Sequence, residues 1–225
     1  MSRWPDRAAR AALAAYRDAP RGDRLHVLIR WLSCPFPPVV DVLPNTGRIL
    51  EVGCGHGLFS TYAAERLPGV QVHGVDIDAD KVAVAARSAA GSDGRLTFAV
   101  AESGVLPAGP WDAVVLVDVL YLLDESGQRA LLQSCAGLLA PGGALVVKDM
   151  STRPRWKAWA NRAQETVSVR VLRITAGSAH FAFVDPDERA RWLQAAGLVD
   201  VRSRRLDRGR VHPHHLLVGR GPLVP

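Results

Sequence analysis

Three observations predict an α/β protein with a doubly wound, mainly parallel, seven-stranded sheet and helices on both faces. From residue 45 onward, short apolar runs alternate with amphipathic segments. Such alternation builds βαβ units, and the right-handed crossover rule places helices on both faces of the sheet. The run "WDAVVLVD", Trp111–Asp118, is almost wholly apolar, as a strand covered on both sides requires. Finally, "ILEVGCGHG", Ile49–Gly57, ends an apolar run with glycines at 53, 55 and 57. Glycine inside a folded element costs roughly 0.5–1 kcal/mol relative to alanine, so this turn must have an offsetting use.

The elements follow in order. Residues 1–44 read as a helical arm or lid, in which "LHVLIRWL" sets Leu25, Leu28, Ile29 and Leu32 at helical spacing. The prolines of "CPFPPVV" then break any helix. Residues 45–225 form the main domain. "RILEVG" is its first strand, "GLFSTYAAERL" a helix, "VQVHGVD" the second strand, and "DADKVAVAARSAA" a helix with Asp78 as N-cap. "RLTFAV" and "WDAVVLVD" are strands three and four; "QRALLQSCAGLL" is a helix stopped by "APGG"; "ALVVKD" is strand five. A helical insertion occupies about 151–184, with Trp156, Trp159, Ala163, Val167 and Val171 roughly on one stripe beside arginines and Lys157. "DERARWLQAAG" is the next helix, with Gly197 near its end, and "VDVRSRRLD" and "VHPHHLLVGR" are two final strands, read as a hairpin around "DRGR".

Composition narrows the classes. The net charge is +6, carried almost entirely by arginine, with lysine only at 81, 148 and 157. The basic residues are spread out rather than blocked together, so a nucleic-acid partner is not favoured. Cys34, Cys54 and Cys135 lie far apart with no CxxC pair, which suggests neither a zinc site nor a disulfide framework. Reduced thiols and a cytoplasmic protein are the expectation. No apolar run reads as a signal peptide or a membrane span. The "HPHH" run, His212–His215, alternates across a strand and so does not gather metal ligands; no metal is expected.

The glycine turn lies between strand one and its helix. There a doubly wound sheet holds nucleotide-like ligands, with free helix amides facing the ligand. A dinucleotide fingerprint would need glycine at 58, which is leucine, and a P-loop would need Gly-Lys-Ser/Thr, which is missing. The pattern E-x-G-x-G-x-G, Glu51 to Gly57, resembles instead the class I S-adenosylmethionine (SAM)-dependent methyltransferases. Later residues agree in order over roughly 46–150. Asp76 in "VHGVDID" stands where the family has an acid that takes both ribose hydroxyls, with Ile77 beside it. One carboxylate can accept from two adjacent hydroxyls. Glu102 in "AESGVLP" corresponds to the acid near the adenine amino group, and Ser103 would offer backbone to the adenine edge. Asp118, Val119, Leu120 and Tyr121 resemble the segment lining the methionine end, and Glu51 the acid near the methionine amino group. Gly53, Cys54, Gly55 and Gly57 form the turn itself.

With SAM as cofactor, the implied reaction is in-line displacement of a methyl group. The protein then supplies position, orientation and exclusion of water, and an alcohol or phenol acceptor generally also needs a base. Candidate catalytic groups are Asp149 at the end of strand five, Asp118 and Tyr121 beside it, and His180 from the insertion, with His56 inside the glycine turn. The arm and insertion are expected to choose the acceptor. An aromatic stripe beside arginines suits a small-molecule or lipid-like substrate, such as a natural-product intermediate. Peripheral contact with a membrane or a carrier protein is compatible with the same helix. Two alternatives stay open: an RNA or protein methyltransferase, motivated by the arginine excess, and a non-catalytic binding protein on the same fold.

Overall fold

A computed structural model describes residues 6–102, 104–150, 182–206 and 213–223. Seven strands form one sheet in the order β3-β2-β1-β4-β5-β7-β6. They are β1 (Thr46–Val52), β2 (Gly69–Asp76), β3 (Leu96–Val100), β4 (Trp111–Val117), β5 (Leu139–Met150), β6 (Val199–Arg205) and β7 (His214–Arg220). The first five run parallel, whereas β7 is antiparallel to both β5 and β6. Strand order reverses between β1 and β4, which opens a crevice at their carboxyl ends. The final hairpin pairing and the doubly wound sheet are as the sequence predicts. The expected insertion lies almost wholly outside the described residues.

The helices are α1 (Arg7–Ala14), α2 (Arg21–Ser33), α3 (Pro37–Val40), α4 (Leu58–Arg66), α5 (Ala79–Ser88), α6 (Glu125–Gly137) and α7 (Pro186–Ala195), with a 3-10 turn at Leu120–Leu122. Aspartate caps four of them. The side chains of Asp6, Asp78, Asp124 and Asp185 each accept a backbone N–H from the first turn of α1, α5, α6 and α7, satisfying donors that no helical carbonyl can reach.

Two local expectations change. The prolines after α2 do not abolish helix: Pro37 and Pro38 open the short α3, where a missing N–H costs nothing. "APGG" does not separate α6 from strand five either. It lies inside β5, whose pairing with β4 shifts register between Trp111 and Ala113, with Gly142 at φ +72°. A glycine bulge lets the strand begin before the turn-like residues.

The sheet buries a core on each face. One joins α4 and the arm to Ile49, Val115 and Val146. The other joins Leu132 of α6 and Trp192 and Leu193 of α7 to Leu50, Leu116 and Leu145. The arm is part of the first core. Trp31 sits edge-on to Tyr62 at 5.1 Å and beside Phe36 at 5.8 Å. The Tyr16 hydroxyl donates to the His56 carbonyl at 2.8 Å. Because Val27 faces inward, the Leu25–Leu32 stripe of α2 turns outward to solvent.

A charged cluster lies buried within the second core. Arg189 of α7 is 1 % exposed. It donates to the Gln128 side-chain oxygen at 2.9 Å and stands 3.1 Å from an Asp149 carboxylate oxygen. Removing one partner of such a pair leaves an uncompensated buried charge. We therefore expect Arg189→Leu to lose about 3–5 kcal/mol in chemical denaturation at pH 8, where Asp149 is ionised, and less at pH 5, where a proton replaces the lost cation.

Candidate active site

The three glycines of the turn serve three purposes. All have positive φ: +76° at Gly53, +53° at Gly55 and +78° at Gly57, a region costly for residues with a Cβ. At Gly53 a side chain would collide with Val119, and at Gly57 it would meet the Phe98 ring at 2.6 Å. Those two are required by packing. Around Gly55 no atom lies within 4 Å of where a Cβ would stand, so its bare backbone faces open space.

Asp76 closes the turn. One carboxylate oxygen accepts the Gly55 N–H at 2.7 Å and the other accepts the Asp78 N–H at 3.0 Å. Each oxygen keeps capacity for a further donor. Asp76 stands behind Gly55 at the end of β2, and Ile77 beside it is 65 % exposed. Glu102 is exposed at the end of β3, its carbonyl held by the Val105 N–H in a turn at 3.0 Å. Ser103 and His180 lie outside the described residues.

A cavity of about 270 Å³ opens between this turn and the arm. The turn and the ends of β1 and β4 bring Glu51, Gly53, Cys54, Gly55, Asp118 and Tyr121 to it, and α2 brings His26, Val27 and Arg30. Val119 packs on Gly53 and forms no part of the cavity wall. Tyr121 stacks on Phe183 with ring centroids 5.6 Å apart, which fixes its ring at the wall.

Asp118 has φ +57°, an uncommon conformation for a non-glycine residue that surrounding contacts must hold. The Lys148 ammonium donates to both of its carboxylate oxygens at 2.6 Å. Arg30 donates to one of them at 2.6 Å, and the Asp118 N–H is taken by the Lys148 carbonyl at 2.8 Å. Burial alone would raise this carboxyl, but the two cations outweigh it and hold Asp118 well below the usual carboxylate range. A carboxylate so stabilised is a poor proton acceptor.

Glu51 is in the opposite condition. It is 2 % exposed and accepts from Ser60 twice, from the N–H at 3.1 Å and the hydroxyl at 2.5 Å. Burial dominates and pushes its pKa up to about 8. The His26 and His56 rings lie 4.5 Å apart, tilted by 33°, with His56 Nε2 3.4 Å from an Asp23 carboxylate oxygen. Burial lowers both imidazoles, His26 to about 4, so both are neutral near pH 7.

Asp149 is not brought to the cavity. Its side chain points to the opposite sheet face, where burial raises it to about 6 against the attraction of Arg189. Successive residues of a strand face opposite ways: Lys148 turns toward the site, and Asp149 cannot. His214 and His215 divide likewise, bonding the Ser33 carbonyl at 3.0 Å and the Ser203 hydroxyl. Arg30, His26 and Lys148 were not singled out by the sequence pattern. The signal for the first was available, since Val27, Arg30 and Trp31 share one helical face.

The Glu51 carboxyl has a readable consequence. Its folded-state value lies above 4.5, the ordinary value, so the folded protein keeps a proton that the unfolded chain releases. That contribution is complete below about pH 4.5 and is lost as pH rises through about 8. Glu51→Gln should therefore flatten the fall of stability between pH 6 and 8, a slope approaching about 1.4 kcal/mol per pH unit in the parent, read by denaturation at stepped pH.

With this geometry in view, comparison with known proteins gives a consistent result. Residues 19–203 match the methyltransferase domain family. A ubiquinone biosynthesis O-methyltransferase from Xanthomonas axonopodis pv. citri is 34 % identical over 159 residues, covering 69 % of this chain and 64 % of that protein. The chain thus spans less than two thirds of that relative's length. Among solved structures, an O-methyltransferase family protein from Burkholderia thailandensis aligns with TM-score 0.72 at 23 % identity over 94 % of this chain and 63 % of that one. Human N-acetylserotonin methyltransferase, solved with SAM, aligns with TM-score 0.66 at 17 % identity over 93 % of this chain and 58 % of that one. At these identities the structural likeness speaks to the fold. The family match spans most of the chain and carries the assignment: the chain belongs to the class I SAM-dependent methyltransferases, whose cofactor is S-adenosylmethionine.

Proposed function

We propose that this protein transfers a methyl group from SAM to an oxygen of a small, apolar or lipid-like acceptor, and that it does so in the cytoplasm. The observation that carries the reading is the half-open cavity between the glycine turn and α2. The glycine turn, the ends of β1 and β4, and α2 wall it, a small space that suits a small acceptor meeting the cofactor's methyl end rather than a nucleic-acid groove. The likeness to a relative named for O-methylation in ubiquinone biosynthesis supports oxygen as the accepting atom.

The residues present fit the cofactor. Gly55 leaves open space at the crevice, and Asp76 retains acceptor capacity for a pair of hydroxyls. A cavity of about 270 Å³ is just below the usual range of ligand sites, so it suits the amino-acid end of the cofactor, leaving the open edge by Asp76 and Ile77 for the nucleoside. Glu51 would face the ammonium, and Arg30 the carboxylate. When bound, SAM supplies a methyl group on a sulfonium already activated for displacement.

The chain's own residues do the rest. Tyr121, fixed by Phe183, shapes the wall against which the acceptor lies. Asp118 serves as an anchor for Arg30 and not as a base. Among the described wall residues the proton acceptor is His56: it is neutral, and the Asp23 carboxylate 3.4 Å from its Nε2 favours the imidazolium that proton transfer would form. The arm over the turn excludes water.

The test has three parts. SAM or its demethylated product should raise the melting temperature by mass action, and Asp76→Ala should remove most of that shift. With methyl-labelled SAM and fractionated cell extract, label should enter the lipid or small-molecule fraction; label in RNA or protein instead would favour the alternative acceptors. His56→Ala should keep most of the SAM-induced shift and lower kcat by roughly tenfold or more.

A further inference from the structure

The arm helix α2 has a second face that the site does not use. Leu25, Leu28, Ile29 and Leu32 are 59 %, 46 %, 56 % and 65 % exposed. Their i, i+3, i+4, i+7 spacing sets them in one stripe along the helix. Large aliphatics scattered singly over a surface are ordinary, but a contiguous stripe marks a contact surface. The inner face of the same helix carries Val27 and Arg30 to the cavity.

Charge indicates what covers the stripe. Arg21 and Arg24 are exposed on the first turns of α2, while Arg17 just before it pairs with Asp18 at 3.3 Å. Beyond the other end of the helix, the edge strand β6 exposes Arg202 and Arg204. Arg204 donates to the Pro38 carbonyl at 3.3 Å, which ties that edge to the start of α3. The chain as a whole carries +6. An apolar helical face bordered by arginines matches an anionic lipid surface, where acyl chains take the aliphatics and phosphates take the guanidiniums.

We propose that the outer face of α2 docks this protein onto an anionic phospholipid bilayer, in the plane of the interface. A second copy of the chain is a poorer occupant. A stable dimer needs on the order of 800 Å² per partner, more than one face of a 13-residue helix supplies. Docking through α2 would also place the helix that roofs the cavity against the phase that dissolves apolar acceptors.

The test is co-sedimentation of the intact protein with vesicles of phosphatidylcholine alone or mixed with phosphatidylglycerol. Partition onto the mixed vesicles should be about tenfold stronger and should weaken as salt is added. Combining Leu25→Ser, Leu28→Ser and Ile29→Ser should reduce it by about tenfold, with the melting temperature and SAM-induced stabilisation of the parent retained, because these side chains already face water. Arg21→Glu with Arg24→Glu should erase the preference for the anionic vesicles. The proposal is overturned by failure to sediment with either vesicle, or by partition that neither salt nor the serine variant alters. A concentration-dependent dimer in light scattering that the serine variant disperses would assign the stripe to a second copy instead. Sedimentation is read without methyl transfer, so its failure leaves the reading of the cavity intact.

Discussion

The site depends on one buried carboxylate. Asp118 ends the central strand β4 in a left-handed conformation and receives Lys148 from the neighbouring strand and Arg30 from the arm. Taking a carboxylate out of water is costly, and its cations must be close and well aligned to offset that cost. Both are, at 2.6 Å. The bond from Arg30 spans 88 positions of sequence and fixes α2 over the crevice. Without it the arm would still bury Tyr16, Val27 and Phe36 in the core, and Asp23 and Ser33 would still meet His56 and His214 near the two ends of α2, but no ion pair would tie the middle of the helix to the end of β4. The cavity is the gap this register leaves.

Three acids end three adjacent strands, and each stands in a different state. Glu51 on β1 is buried away from any paired cation and holds its proton. Asp76 on β2 is half-buried and bonded to the Gly55 amide of the turn and the Asp78 amide that begins α5. Asp118 on β4 is buried and ion-paired. Chemically identical groups a few residues beyond similar apolar runs thus differ through burial and partners alone. A binding site for a ligand with an amino acid at one end and a sugar at the other needs such a gradation, since one uniform acidic edge could not tell its two ends apart.

Much of this was legible in the sequence, for identifiable reasons. The strands are short apolar runs punctuated by caps and glycine, so their order of appearance, the Asp78 cap and the place of the glycine turn follow from local chemistry. What sequence could not give was which side of β5 each charged residue faces. Lys148 and Asp149 are neighbours, and only the register with β4 and β7 decides that the lysine reaches Asp118 while the aspartate joins Arg189. The arm shows a related limit. Its most regular apolar stripe faces solvent, and the less regular face with Val27, Arg30 and Trp31 turns inward, because Arg30 has a buried anion to meet. Periodicity locates a helix; it does not say which of two faces the rest of the fold will claim.

The glycine turn illustrates the same limit from the other side. Substitution at Gly53 or Gly57 would disrupt packing against Val119 or Phe98 whether or not any ligand were present. Only Gly55 is bare toward open space. Most of the motif therefore records how tightly β1, α4 and the β4 end must approach one another, and a smaller part records the ligand. A glycine pattern is informative about a cofactor chiefly because that close approach brings Glu51, Asp76 and Asp118 within one crevice. On the reading proposed above, recognition would fall to those acids and to the cations that partner one of them, and the glycines create the space in which they stand.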